Sequence, residues 1–220
     1  MKIFGFGTMR LPTLADGAID QAQFCQMVDL FLARGYTYFD TAYPYHGGMS
    51  ERVIGRVLKD YDRQSFYLAT KYPGHQISDS YDPAAIFEEQ LQKCGVEYFD
   101  FYLLHNLGES RTRFFDVFNM WDFVQEKKRQ GLIRHVGFSF HSTPEELEQI
   151  LSAHPEMEFV QLQINYGDWE NPAVQSRACY EVARRHEKPV IIMEPVKGGM
   201  LATPPEPVVK IFRKANPQAS

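Results

Sequence analysis

Residues 36–51 read YTYFDTAYPYHGGMSE, a short run of aromatic and β-branched side chains that ends at Asp40. The run is continuous rather than alternating in hydrophobicity, which is typical of a strand buried on both faces of a parallel sheet. Similar runs predict strands at Ile3–Phe6, Tyr36–Asp40, Phe66–Lys71, Tyr98–Leu104, Ile133–Phe138, Phe159–Ile164 and Val190–Glu194. Most of their ends recur every 24 to 34 residues, which is the size of one βα unit.

Apolar residues at helical spacing lie between these strands. The stripes expected to face the core are Phe24, Met27, Val28 and Phe31 in one helix, and Phe114, Val117, Phe118 and Trp121 in another. Asp82 and Thr143 each precede a proline and predict helix starts, and Glu146 completes a capping box with Thr143. The predicted helix ends are Gly35, Gly95 and Gly131.

Regular alternation of strands and helices allows a doubly wound open sheet or a closed barrel. Periodicity alone does not choose between them. Seven βα units fit, the last with a weakly patterned helix around Val208–Lys214, and we expect residues 1–220 to form a single α/β domain.

Composition narrows the class of partner. The formal net charge is -5, from 23 basic and 28 acidic side chains, which disfavours nucleic acid or an anionic membrane as the main partner. No apolar run approaches the length of a membrane span or a signal peptide, so we expect no membrane partner. The widely spaced Cys25, Cys94 and Cys179 predict free thiols in the core of a cytoplasmic protein.

Ionisable residues stand just beyond three successive apolar runs. Asp40, Lys71 and His105 occupy equivalent places in neighbouring units. Since functional side chains of a βα barrel sit at the carboxyl ends of its strands, these three residues are the first candidates for chemistry.

Four segments carry a resemblance to a known family. They are FDTAYPYHGGMSE (Phe39–Glu51), ATK (Ala69–Lys71), YLLH (Tyr102–His105) and QLQINY (Gln161–Tyr166). In this order they resemble the aldo-keto reductases, whose active-site aspartate is followed five residues later by a tyrosine. MRLP, GFSFH and MEPVKGG are similar to the branch that often carries a C-terminal iron–sulfur module, for which no cysteine cluster exists here. The resemblance implies a parallel (β/α)8-type TIM barrel that reduces aldehyde or ketone carbonyls with NADP or NAD.

The resemblance also implies a catalytic tetrad of Asp40, Tyr45, Lys71 and His105. A free tyrosine, with a pKa of about 10, is a poor acid at neutral pH, and a nearby lysine ammonium can lower that pKa. Tyr45 would then be the general acid, with Lys71 and Asp40 as the pair that tunes it. His105 would orient the substrate carbonyl. Each residue also has a purely structural interpretation, as a packed aromatic ring, an ion pair or a core histidine.

The cofactor residues follow from the same resemblance. Ser139 and Gln163 match the pair that holds the nicotinamide carboxamide, although Phe140 replaces the usual asparagine and Asn165 could serve instead. Met193 stands where many relatives stack an aromatic ring. Lys197 and Gly198 could meet the pyrophosphate. The remaining cofactor residues are Gly7, Thr8 and Met9 near the ribose, together with Asp40.

Two other functions also fit the residues. One is a metal-dependent hydrolase on the same barrel, with Asp40, His105, His141 and Glu194 as ligands, although no HxH or HExxH motif supports it. The other is a cofactor-binding or interaction module without turnover.

The chain ends where an eighth βα unit would begin. We therefore expect a barrel truncated after its seventh unit, with open sheet edges that invite self-association. We also expect weak cofactor binding and poor reductase activity from the 220-residue chain.

Overall fold

The computed structural model describes residues 4–74 and 82–218. Seven parallel strands form one sheet in chain order, so that each strand pairs with the next. The strands are β1 (Gly5–Gly7), β2 (Tyr38–Asp40), β3 (Tyr67–Tyr72), β4 (Phe99–Leu107), β5 (Ile133–Phe140), β6 (Phe159–Gln163) and β7 (Val190–Met193). The sheet curls into a half-barrel, which confirms the predicted (β/α)8-type fold truncated after its seventh unit.

Helices follow the strands. They are α1 (Gln21–Ala33), α2 (Met49–Leu58), α3 (Pro83–Cys94), α4 (Thr112–Val117), α5 (Met120–Arg129), α6 (Pro144–Ala153), α7 (Ser176–Arg185) and α8 (Glu206–Ala215). In the described part of the chain, no helix is both long and apolar enough to cross a membrane.

The main core lies between the sheet and the helices. Phe24, Phe87 and Phe138 are fully buried there, and each such side chain stabilises the fold by about 1.5–3 kcal/mol. A smaller cluster of Tyr38, Ala69, Leu103 and Phe159 lies apart from it. Side chains from alternating strand positions fill a barrel interior in this way.

The predicted strands are found within two or three residues of their expected bounds wherever the chain is described, and Ile3 lies outside the described residues. The largest difference is at the carboxyl end of β4, which continues to Leu107, and β5 also continues further than predicted, to Phe140. An irregularity between Leu104 and Leu107 shifts their pairing. His105 and Ser139 therefore lie inside their strands rather than just past the ends.

One predicted core stripe is confirmed only in part, because Trp121 is buried in the core and Phe118 packs against it, but Val117 does not. A break at Asn119, whose backbone has a left-handed φ of 51°, separates α4 from α5. Val117 is consequently 74% exposed, and Phe115 is buried in place of the predicted pattern. In the first stripe Phe24, Val28 and Phe31 are buried as predicted, but Met27 is 39% exposed.

Most predicted helix boundaries are confirmed. The Asp82 carboxylate accepts from two backbone N–H groups at the start of α3, and the Thr143 hydroxyl accepts from the Glu146 backbone at the start of α6. The Glu146 carboxylate, however, accepts from the backbone N–H of Glu109 at 2.8 Å. The Glu146 side chain therefore stabilises the loop after β4 and does not complete the predicted capping box.

Candidate active site

A buried ion pair joins the second and third strands. Lys71, 1% exposed, donates to the carboxylate of Asp40 and to the backbone oxygen of Thr41 at 2.8 Å. Gln161 donates to the second carboxylate oxygen of Asp40 at 3.0 Å. Burial alone would lower the pKa of Lys71, but the charge of Asp40 and the neighbouring Tyr45 outweigh it and raise that pKa. Lys71 is therefore held as an ammonium ion.

Tyr45 lies beside Lys71 of this ion pair, and His105 packs against Tyr45. Tyr45 begins the short turn Tyr45–Gly48 that follows β2. The ammonium nitrogen of Lys71 is 4.9 Å from the centre of the Tyr45 ring. The rings of Tyr45 and His105 meet edge to face with their centres 5.9 Å apart. All four predicted tetrad residues thus come together at one place.

Two hydrogen-bonded networks hold the ends of the first three strands. Ser50 donates to Thr8 at 2.7 Å and lies 2.9 Å from Thr41, while Thr8 donates to the backbone oxygen of Asp40. Behind β3, the buried Glu51 accepts from Thr70 and Gln90, each at 2.6 Å.

Gln90 in turn donates to the backbone oxygen of Lys71 at 3.1 Å. Burial raises the pKa of Glu51. This carboxyl group, which the sequence analysis missed, fixes the strand that carries Lys71.

An open groove of about 1940 Å³ exposes the cluster to ligands. Asp40, Tyr45 and His105 line it together with His141 and Arg111. The predicted cofactor residues that also line it are Gly7, Met9, Ser139, Gln163, Met193 and Gly198. Thr8 is fully buried in the Ser50 network and does not line the groove.

Ser139 and Gln163 are oriented by neighbouring loops. The Ser139 hydroxyl accepts from the backbone N–H of Asn106 at 2.8 Å, and a hydroxyl that accepts one bond can still donate its own proton. Gln163 donates through its amide nitrogen to Asp168 at 2.9 Å. Its amide oxygen is the atom left to accept a bond from a ligand.

Asp168 is a second residue that the sequence analysis missed. It is fully buried in the loop after β6 and binds the side chains of Gln163, Asn165 and Lys197. Its hydrogen bond from Lys197 and then that from Asn165 lower the pKa of Asp168 to about 2. No local motif marks this residue, since Lys197 lies 29 positions further along the chain.

The contacts of Asp168 bear on two of the residues considered for the cofactor. The charge of Lys197 is already paired at 2.6 Å, so this lysine is not a free cation for a pyrophosphate. Asn165 donates to Asp168 and to the backbone of Glu194, and its oxygen accepts from two backbone N–H groups. It therefore cannot replace the asparagine that Phe140 displaces.

Two of the four residues considered as metal ligands are engaged in ion pairs. Asp40 pairs with Lys71, and Glu194 pairs with Arg10 at 2.6 Å. Within residues 4–74 and 82–218, no three histidine, cysteine, aspartate or glutamate side chains are arranged to hold a metal ion.

A sequence profile of the Aldo/keto reductase family matches residues 4–214. The chain belongs to this family. It is 26% identical over 198 residues to a 9,11-endoperoxide prostaglandin H2 reductase of Trypanosoma cruzi, covering 87% of this chain and 64% of that protein. It is 25% identical over 173 residues to probable aldo-keto reductase 1 of Glycine max, covering 75% and 48%. The chain thus spans about half to two thirds of the length of these relatives.

Solved structures confirm the aldo-keto reductase fold. An aldo-keto reductase of Klebsiella pneumoniae in complex with NADPH is similar with a TM-score of 0.72 and 19% identity, over 97% of this chain and 72% of that chain. The thermostable aldo-keto reductase Tm1743 is similar with a TM-score of 0.75 and 23% identity, over 98% and 76%.

Proposed function

We propose that this chain reduces aldehyde or ketone carbonyls by hydride transfer from NADP(H) or NAD(H), with Tyr45 as the general acid. The observation that carries the proposal is the cluster of Asp40, Lys71, Tyr45 and His105 at one open groove. Family membership gives the reaction class, and the groove admits small molecules.

The charges around Tyr45 suit proton donation. A phenol that gives its proton to the developing alkoxide becomes a phenolate, which the ammonium of Lys71 stabilises at 4.9 Å from the ring centre. Asp40 keeps that ammonium charged and in place. His105, edge to face with Tyr45, lies where it can orient the carbonyl oxygen.

A second tyrosine in the groove provides a contrast. Tyr38 is buried, and burial together with the charge of Asp40 raises the pKa of Tyr38 well above its usual value. This phenol holds its proton more firmly than an ordinary tyrosine. Tyr45, by contrast, has the ammonium group of Lys71 beside its ring.

The groove offers a place for the nicotinamide cofactor, which when bound would supply the hydride. A Cβ atom built on Gly7 meets nothing within 4 Å, so the carboxyl end of β1 leaves space for a ligand. Ser139 and Gln163 would hold the carboxamide, with one donor and one acceptor between them. Met193 would cover the ring, and its thioether is soft enough to pack against it. Gly198 would approach the pyrophosphate.

The test is the single substitution Tyr45→Phe. It should lower kcat/KM for carbonyl reduction by about 10²–10⁴-fold, the usual contribution of a general acid, while the Kd for NADP(H) changes little. Tyr43→Phe is the matched control, because the Tyr43 hydroxyl donates to Glu89 at 3.0 Å rather than serving the cluster. Near-normal turnover in Tyr45→Phe would remove the assignment, and cofactor binding without turnover in the parent would favour a non-catalytic module.

A further inference from the structure

The short turn after β4 places one arginine against the candidate active site. Arg111 lies six residues beyond His105, and both side chains line the same groove. Its Nε donates to the backbone oxygen of Asn106 at 2.9 Å, and its Nη2 donates to the backbone oxygen of His141 at 3.0 Å. Two carbonyl groups thus fix the guanidinium without cancelling its charge.

The other cations near the cluster are paired differently. Lys71, Arg10 and Lys197 each contact a carboxylate that is buried or half-buried. The acidic partner of Arg111 is Glu109, which is 72% exposed and lies 3.5 Å away. Solvent weakens the attraction in such an exposed pair, so Glu109 offsets the charge of Arg111 only in part and the guanidinium can still attract an anionic ligand.

The backbone of the turn is built around this side chain. Asn106 and Glu109 adopt left-handed φ values of 62° and 50° in this turn. Gly108 has a φ of 131°, and a Cβ atom there would lie 2.6 Å from Ser142 and 3.1 Å from the Arg111 guanidinium. Glu146 holds the turn from outside through the backbone of Glu109.

His141 adds little charge beside the arginine. Loss of water within the groove, followed by the positive charge of Arg111, lowers the pKa of His141. This shift favours the neutral imidazole, so Arg111 supplies more positive charge to this wall of the groove than His141 does.

We propose that Arg111 binds a carboxylate on the substrate, so that the preferred substrates are aldehydes or ketones that also carry a carboxylate. A guanidinium has five donors in a flat fork that matches a carboxylate, and two of its N–H groups are already used to fix it. The carbonyl end would lie at Tyr45 and His105 and the anionic end at Arg111. This inference rests on the proposed function and specifies its substrate class.

The test compares charged and neutral substrates in matched pairs. Succinic semialdehyde is paired with butanal, and terephthalaldehydic acid with its methyl ester, at saturating NADPH. For at least one pair the parent should favour the charged member in kcat/KM by about tenfold or more, as expected of a hydrogen bond to a charged group. Arg111→Met should bring that ratio close to one, mainly through KM, and Arg111→Lys should restore part of it.

Arg113→Met is the matched control. Arg113 lies two residues further along, is exposed, and packs over the ring of Phe114 rather than lining the groove. The ratio of kcat/KM for the charged substrate to that for the neutral substrate should be the same in Arg113→Met as in the parent. Far-ultraviolet circular dichroism of each variant checks the fold, and a cofactor titration checks that Arg111→Met leaves the Kd for NADPH unchanged.

The outcomes separate this inference from the proposed function. Reduction of the neutral aldehydes without preference for a carboxylate in either pair would overturn the role of Arg111 and leave the reductase assignment standing. A large rise in the Kd for NADPH in Arg111→Met would assign the residue to the cofactor instead. Failure to reduce any of the four compounds would count against the proposed function, and the inference would fall with it.

Discussion

Replacing Asp168 with asparagine removes the negative charge on which three side chains of the site converge. The carboxylate binds Gln163 and Asn165 at 2.9 Å and Lys197 at 2.6 Å, and it is fully buried. An asparagine would turn an amide NH2 group toward at least one of these donors. We expect Asp168→Asn to loosen the loops that follow β6 and β7 and to destabilise the fold.

The size of this effect follows from the pKa of Asp168. A value of about 2 against the usual 3.8 corresponds to about 2 kcal/mol of folding free energy when the carboxylate is ionised. Lys197 is 38% exposed and partly screened, so we expect a loss of about 1–2 kcal/mol. For a chain of this size, that lowers the melting temperature by about 2–8 °C.

The pH dependence identifies the cause. A carboxyl group whose pKa is lowered by folding stabilises the protein above its unfolded pKa and loses that contribution as pH falls through the folded pKa. The difference in melting temperature between parent and Asp168→Asn should therefore be full at pH 7 and shrink from about pH 4 toward pH 2. Asp60→Asn, at an exposed site on the surface, is the control. A difference that stays constant with pH would show that the carboxylate charge is not what stabilises these loops.

Two further expectations concern the ion pair and the sheet edges. Lys71→Met should slow carbonyl reduction more at neutral pH than at low pH, where protons are plentiful. The double variant Asp40→Asn/Lys71→Met controls for the buried carboxylate that the single variant leaves unpaired. A pH–rate profile of Lys71→Met that overlays the parent's would refute the role of the lysine. The 220-residue chain should also self-associate in light scattering, because β1 and β7 are the two ends of the described sheet and Phe4 and Ile192 are 58% and 53% exposed beside them. Ile192→Lys should reduce that association. A parent chain that is monodisperse in light scattering would contradict the prediction of self-association.

Much of the fold is predictable from local patterns. Each predicted strand is present where the chain is described, because strands of a parallel sheet are buried on both faces and leave continuous apolar runs. The stripe from Phe114 to Trp121 failed at Val117 because its spacing ignores the break at Asn119, a residue type that tolerates left-handed backbone.

The candidate site is predictable only in part. Asp40, Lys71 and His105 stand at or near strand ends, and the spacing from Asp40 to Tyr45 belongs to a recognisable segment. Asp168 and Arg111 carry no such signal, since their roles arise from partners that the fold brings close, such as Lys197 and the backbone of His141. One local signal does point to a residue that contacts the cluster. Gln161 and Gln163 are two residues apart and therefore lie on the same face of β6. In the structure Gln161 donates to Asp40.

The most direct test of the account is to follow the hydride itself. The chain is incubated with a carbonyl substrate and NADPH or NADH that carries deuterium at the transferable position, and the alcohol is analysed by mass spectrometry. The account predicts one deuterium on the former carbonyl carbon, formed by the parent and by Tyr43→Phe and nearly absent with Tyr45→Phe. Alcohol without deuterium, or equal labelling by Tyr45→Phe and the parent, would contradict it.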